Sequence, residues 1–586
     1  MKSVTRNVFF VLLVLTGITM FFGIGSLPLR SPYEAAFGEV AREMAEAGNF
    51  LSPRLFDKFA LGLAPLSYIL SALSIDVFGA TEFAVRLPAA LGAILLTMAV
   101  YITTTHTFNE RSGFWAGMAF GTAMLTFFLV KTAVPFSGLL FFVSLALLCF
   151  IRRHYWAMYV FLALCVLTDG PWALVFPVLI ILAYLILTGQ IYVLGRMHLL
   201  RGIVLFLVLC APWVGTKFYL QGMPFLTEFF QFRDFGLVSL AAPDSGNPLW
   251  FYVPVLLAGM FPWTGLMLKS LKDSICESRT SDLEILLFYQ IWWFITFLLF
   301  TICSRQFATS IVLTFPPLAV MIGWNLDRMR KENGRNHAGW AVLSILTFAV
   351  AAVAWVWVLR PLPQLTFGSF VMAGITVLFG IAIAIALLLY KDAALGEWLH
   401  AAAAILTMVV VYSFFLPVVP GTFTERSVAE EFRTRSAGQA VTLYMLPEHR
   451  PALAFYSGNP GLVLNPADAQ SVASFRADEG SKYIVLPQTV FDRYAGVLGG
   501  TEWQKEAEKD GLVLYSRIVR EQPAPVVTKK EPAAAAPDKK AAPAGREQNP
   551  ETAVTEQKAA PAVTKKSAAP AAPAKKPVRE KSKKTS

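Results

Sequence analysis

GATEFAVRLPAALGAILLTMAVYITTT, residues 79–105, decides how this chain folds. Beyond Arg86 it carries no charge, and the apolar run 83–105 is long enough, at roughly 1.5 Å per helical residue, to cross roughly 30 Å of hydrocarbon. Working outward, twelve further apolar stretches lie near 8–26, 113–130, 134–151, 155–169, 171–189, 200–219, 250–269, 283–303, 307–325, 338–359, 366–390 and 398–418. With 56% hydrophobic residues over 586 positions, the chain has more apolar surface than a soluble core of its size takes up, so lipid is its main solvent. The expectation is a polytopic α-helical membrane protein with about thirteen spanning helices, the first an anchor rather than a cleaved signal.

Arg152, Arg153, Arg196, Arg201, Lys269, Lys272, Arg328 and Arg335 fall in alternate connections, which the positive-inside rule places in the cytoplasm together with the amino terminus. An odd number of spans then puts the carboxyl-terminal part outside a bacterial cytoplasmic (inner) membrane. Two outer connections, 27–81 and 221–248, are too long to be simple turns. The first contains helical patterns at Pro32–Ala47 and Pro65–Phe78, read as helices lying along the membrane surface.

The spanning part is expected over 1–419. Residues 420–520 alternate short β-type runs (Val441–Met445, Leu462–Leu464, Tyr483–Leu486, Leu512–Tyr515) with polar helical stretches, the pattern of a small extracytoplasmic α/β or α+β domain. Residues 521–586 are rich in Ala, Pro and Lys and are expected to be disordered. That tail holds 14 Lys and Arg against 7 Asp and Glu, leaving a net of only +4 elsewhere out of the chain's +11. With no zinc-finger, helix-turn-helix or aromatic-basic pattern beside it, this charge does not indicate nucleic-acid binding. The five cysteines stand singly in or beside apolar stretches, and the six histidines lack ligand spacing, so neither a disulfide framework nor a histidine metal site is expected.

Several segments together resemble the bacterial relatives of protein O-mannosyltransferases, the GT-C membrane glycosyltransferases, and especially the aminoarabinose transferases that modify lipid A. They are PYEAAFGEVAREMAEAGNFLSPRLF (32–56), APLSYILSALSIDVFGATEFAVRLPAALGA (64–93), LTDGPWALVFPVLIIL (167–182), APWVGTKFYLQGMPFLTEFF (211–230), WFYVPVLLAGMFPWTG (250–265) and YSGNPGLVLNP (456–466). The resemblance implies transfer of a sugar from an undecaprenyl-phosphate-type carrier to a lipid, glycan or protein acceptor outside the cytoplasm, in contact with membrane lipids. It leaves a divalent metal open. Such chemistry calls for a carboxylate to deprotonate or orient the acceptor and cations for the departing phosphate.

The resemblance makes Glu34 the candidate catalytic acid. Tyr33, Arg54, Lys58, Arg86, Lys131, Arg233 and Arg305 are candidate substrate-binding residues, with Asp57, Asp234 and Asp244 nearby. The chain also departs from the family. Tyr33 replaces the aspartate of an Asp-Glu pair, and Phe136 stands where a second acid is expected; Leu63 replaces a lysine, and Asp169 reverses the charge of a Lys-Gly-Pro turn. Two readings stay open: transfer by Glu34 in a rearranged site, or a degenerate relative that binds a lipid-linked sugar or assists assembly. Transport is a third class, but neither repeated halves nor charges deep in spans support it.

Overall fold

In a hydrocarbon medium backbone N–H and C=O groups must be satisfied internally, so the apolar stretches fold as helices. The computed structural model shows, in chain order, α1 (Ser3–Phe21), α2 (Tyr33–Glu46), two-residue strands β1 (Arg54–Leu55) and β2 (Lys58–Phe59), α3 (Leu66–Phe78), α4 (Glu82–Thr107), α5 (Glu110–Gly121), α6 (Met124–Val130), α7 (Phe136–Ile151) and α8 (Tyr155–Asp169). Then follow α9 (Val175–Leu187), α10 (Val193–Arg196), α11 (Leu199–Gln221), α12 (Met223–Phe230), α13 (Tyr252–Gly259), α14 (Thr264–Thr280), α15 (Glu284–Ile302), α16 (Phe315–Lys331), α17 (His337–Leu359), α18 (Thr366–Leu388) and α19 (Ala393–Val410). The structure describes residues 3–517 except 57, 60–62, 134–135, 231–246, 281–283, 303–306, 332–336, 361–362, 419–424, 438–440, 500–501 and 510. The expected tail, Asp57, Arg233, Asp234, Asp244 and Arg305 lie outside the described residues, and Lys58 and Phe136 are described in backbone only.

Among the described residues seven helices are long and apolar enough to cross a membrane, or up to nine if each of two bent helix pairs is one span. The remaining expected crossings coincide with shorter apolar helices, Asn7–Phe21, Ser137–Ile151, Tyr155–Asp169 and Pro171–Leu187. A helix of 15 residues such as α8 reaches only about 22 Å at 1.5 Å per residue, so length alone does not carry the count to thirteen. Local signals fix several starts: Thr81 accepts the Ala84 amide at the head of α4, and Asn109 accepts that of Ser112 at the head of α5.

Residues 426–517 form an α/β layer: α20 (Arg426–Arg435), β3 (Thr442–Met445), α21 (Arg450–Ser457), β4 (Leu462–Val463), α22 (Ala469–Ala477), β5 (Lys482–Pro487), α23 (Gln488–Leu498), β6 (Gln504–Lys509) and β7 (Leu512–Arg517). The sheet order is β4-β3-β5-β7-β6, with β3 parallel to β4 and β5, and β7 antiparallel to both β5 and β6. Alternate residues serve two cores: Leu443 and Met445 pack with Val428, Phe432 and Leu453, whereas Tyr444, Ile484 and Leu486 pack with Phe475 and Phe491. Strand β6 was not expected. Its sequence QKEAEK lies at the sheet edge with both faces largely in solvent, and it shows no apolar alternation.

Both helices expected in the first long connection form, as α2 and α3, but α2 is not a surface helix with one wet face. Glu34, Glu39 and Arg42 are buried along with Ala35, Phe37, Val40 and Met44, because α21 packs against α2 in addition to α3 and α4. Glu39 and Arg42 meet in a bidentate pair at 2.7 and 2.8 Å, and burial nonetheless holds the Glu39 carboxyl above its usual range.

Candidate active site

Arg86, the fifth residue of α4, is 1% exposed. Its Nε donates to Glu34 Oε1 at 2.7 Å, Nη1 to the carbonyls of Ile24 and Leu27 at 3.1 and 2.6 Å, and Nη2 to that of Pro28 at 3.0 Å. Four of the five guanidinium donors are thereby placed. Glu34, 3% exposed, also accepts the Ala133 amide on Oε1 at 2.8 Å and the Arg30 amide on Oε2 at 3.0 Å. The pair thus ties together the α1–α2 connection, α2, α4 and the turn between α6 and α7. An arginine is needed here because its planar fork meets a carboxylate and three carbonyls at once, which an ammonium does not.

The expected cations split into two groups. Lys131, directly after α6, is 4% exposed; its Nζ donates to the Met20 carbonyl at 2.7 Å and lies 4.8 Å from the Phe127 ring centroid, within electrostatic reach of Arg86. Arg54 lies on β1 opposite Phe59, within reach of Lys217 of α11. Lys217 is fully buried and donates to Ser52 Oγ at 2.9 Å, and Trp213 Nε1 on the same helix donates to the Leu51 carbonyl at 3.0 Å. Tyr33 stands with its ring edge-on to Phe307, 5.9 Å between centroids.

Glu34 and Arg86 face each other, and neither is among the residues that line the neighbouring cavity. The neighbouring cavity of about 390 Å³ is walled instead by α3, α4 and α7, with Phe37, Leu70, Val85, Leu91, Ala133 and Phe141 among its apolar lining and Ser67, Ser71, Ser74 and Ser137 along it. Gly138 of that wall leaves room for Ser67 Oγ and the Thr168 methyl, and Asp169 follows immediately at the end of α8. Asp169 Oδ2 is buried and has no hydrogen-bond partner among the described residues, and the carboxyl is within electrostatic reach of Tyr68. Among the described residues no group of three or more His, Cys, Asp or Glu comes together to hold a metal ion.

Sequence reasoning passed over Lys217 and treated Asp169 only as a departure. Lys217 had a signal: it is the single charge between Arg201 and Gln221, and a charge inside an apolar run marks a function or a partner. Nothing in the sequence placed the Asp169 carboxyl beside α3.

Residues 63–215 match the sequence profile of the family described as dolichyl-phosphate-mannose-protein mannosyltransferase. An uncharacterized protein of Aquifex aeolicus is 25% identical over 345 residues, 58% of this chain and 78% of that protein. The undecaprenyl phosphate-alpha-4-amino-4-deoxy-L-arabinose arabinosyl transferase 2 of Proteus mirabilis is 26% identical over 335 residues, 54% of this chain; the match spans 58% of that enzyme's length. Among solved structures, ArnT from Cupriavidus metallidurans, crystallised with undecaprenyl phosphate, superposes with a TM-score of 0.73 at 19% identity, covering 87% of this chain and 97% of that one. The chain is therefore similar in sequence to the protein O-mannosyltransferase and aminoarabinose transferase glycosyltransferases and shares the fold of ArnT.

Proposed function

We propose that the protein transfers a glycosyl unit from a polyprenyl-phosphate carrier to a lipid, glycan or protein acceptor at the outer face of the cytoplasmic membrane. In this reading the chain crosses thirteen times, and the α/β domain stands outside. The observation that carries it is the apolar, serine-flanked cavity beside α2, in a fold shared with a protein that binds undecaprenyl phosphate. An isoprenoid chain matches such a lining, and Arg54 is the candidate for the positive charge that a departing lipid phosphate requires, while Lys131 and Lys217 are buried and donate to the Met20 carbonyl and Ser52 Oγ.

Within this reading the acid–base role is divided. Glu34 already accepts three hydrogen bonds, so proton abstraction by it competes with Arg86 and two amides; its contacts suit holding the site in shape. Asp169 Oδ2, which has no hydrogen-bond partner among the described residues, is placed to accept a proton from an acceptor hydroxyl or amine, at a position where the family carries a lysine. Transfer of radiolabel from a polyprenyl-phosphate sugar by purified protein is expected to fall at least about a hundredfold in Asp169→Asn, the scale of a lost general base. Glu34→Gln is expected to lose less turnover and more thermal stability. Full turnover in Asp169→Asn would return the base role to Glu34.

A second reading, a degenerate relative that retains a lipid-linked sugar without reacting it, is favoured by Tyr33 and Phe136 at acid positions and by the closed Glu34–Arg86 pair. It predicts lipid retention without transfer in the same assay.

A further inference from the structure

The connection from α1 to α2 turns at Ile24 and Ser26, whose amides donate to the Phe21 and Gly23 carbonyls, and then runs as irregular backbone through residues 27–32. Its inner side serves the Glu34–Arg86 pair: the Ile24, Leu27 and Pro28 carbonyls accept from Arg86 and the Arg30 amide donates to Glu34. Its outer side is held by residues more than 390 positions away. The Leu29 amide donates to the Tyr456 hydroxyl at 2.7 Å, and that hydroxyl donates to Glu82 Oε1 at 3.1 Å, the same oxygen that accepts Arg426 Nη1 at 2.8 Å. Ser31 Oγ donates to Glu425 Oε2 at 2.6 Å, and His449 Nδ1 pairs with Glu425 Oε1 at 2.7 Å. The Leu29 side chain, fully buried, packs in one core with Ala452 and Phe455 of α21 and with Ala35 and Val40 of α2.

A buried backbone amide needs a partner, and for Leu29 that partner is a tyrosine of the α/β domain. Loss of this hold frees the strap to shift, and the three carbonyls that orient Arg86 shift with it. A displacement of about 1 Å at such a site is enough to cost about a hundredfold in rate.

We infer that the α/β domain is a positioning element of the Glu34–Arg86 site, acting through Tyr456 and Glu425 on the strap 27–31. The inference rests on the transferase reading for its kinetic consequence, but not for its structural one. Tyr456, the first residue of YSGNPG, is a positioning residue, since it touches the strap and Glu82 rather than a reacting group.

Full-length protein in lipid nanodiscs carrying Tyr456→Phe keeps the ring over which the Arg426 guanidinium sits, 5.9 Å from its centroid, and loses only the hydroxyl. Amide exchange in 27–31 is expected to rise about tenfold, the scale of one lost hydrogen bond, while β5 and β7 keep their protection and report an intact domain. In the transfer assay kcat is expected to fall about tenfold with KM for the lipid-linked donor within about twofold, a split that loss of folded protein alone does not produce. In a double-mutant cycle on the unfolding midpoint, Tyr456→Phe and Glu34→Gln are expected to be non-additive. Unchanged exchange in the strap overturns the inference, and so does an additive cycle. Raised exchange with unchanged kcat overturns the positioning role. Wild-type protein that transfers nothing sinks the transferase reading alone, and the exchange and the cycle then decide the inference.

Discussion

Arg86 and Glu34 form an ion pair in which both side chains are nearly inaccessible, 2% and 3% exposed. Desolvating two charges is costly, and the pair offsets that cost only because three carbonyls and two amides complete it. Arg86→Met strands the Glu34 carboxylate, and the expected loss is about 3–5 kcal/mol in unfolding free energy, measured by denaturation in detergent. Adding Glu34→Gln to Arg86→Met removes the stranded charge, and part of the loss is expected to return. Glu34 and Arg86 were both legible in the sequence as candidate site residues. Their mutual contact was not, because 52 positions separate them and no periodicity links α2 to α4.

At the scale of elements, α2 shows where pattern reading stops. Ala35, Val40 and Met44 mark one apolar face, and Glu39 and Arg42 on the other look solvated in sequence, but the helix is enclosed by α3, α4 and α21. The enclosure depends on Gly38. A Cβ there would lie 2.8 Å from Leu29 Cδ1 and 3.3 Å from the Phe455 ring, so the glycine lets α21 and the strap approach together. Gly38→Val is expected to cost about 1–3 kcal/mol, the usual scale of overpacking, and to raise protease access at the α21 boundary. An unchanged melting curve would mean that α21 does not press on α2 as described. Strands β3, β5 and β7 were readable because both faces are buried and apolar, whereas the edge strand β6 carried no such signal.

For the whole molecule, the class of fold followed from apolar run length and the order of Pro, Gly and charged positions, and the superposition on ArnT bears it out over 87% of the chain. The number of crossings is less direct, because four expected spans are short helices that fall below the bilayer thickness by length. The candidate site could be named in the sequence by its matching residues, but its contacts could not. Tyr33, Phe136 and Asp169 could be named as departures, but only the tertiary structure shows that an acidic oxygen without a partner among the described residues sits beside the cavity wall.

The measurement that bears most directly on the transferase reading is the fate of a radiolabelled polyprenyl-phosphate sugar given to the purified wild-type protein in vesicles containing envelope lipid and glycan acceptors. The expected result is label moving to an acceptor with release of the polyprenyl phosphate, at a rate that depends on protein concentration. Tight retention of the intact lipid-linked sugar with no label transferred would contradict the account and identify a binding protein built on a transferase fold.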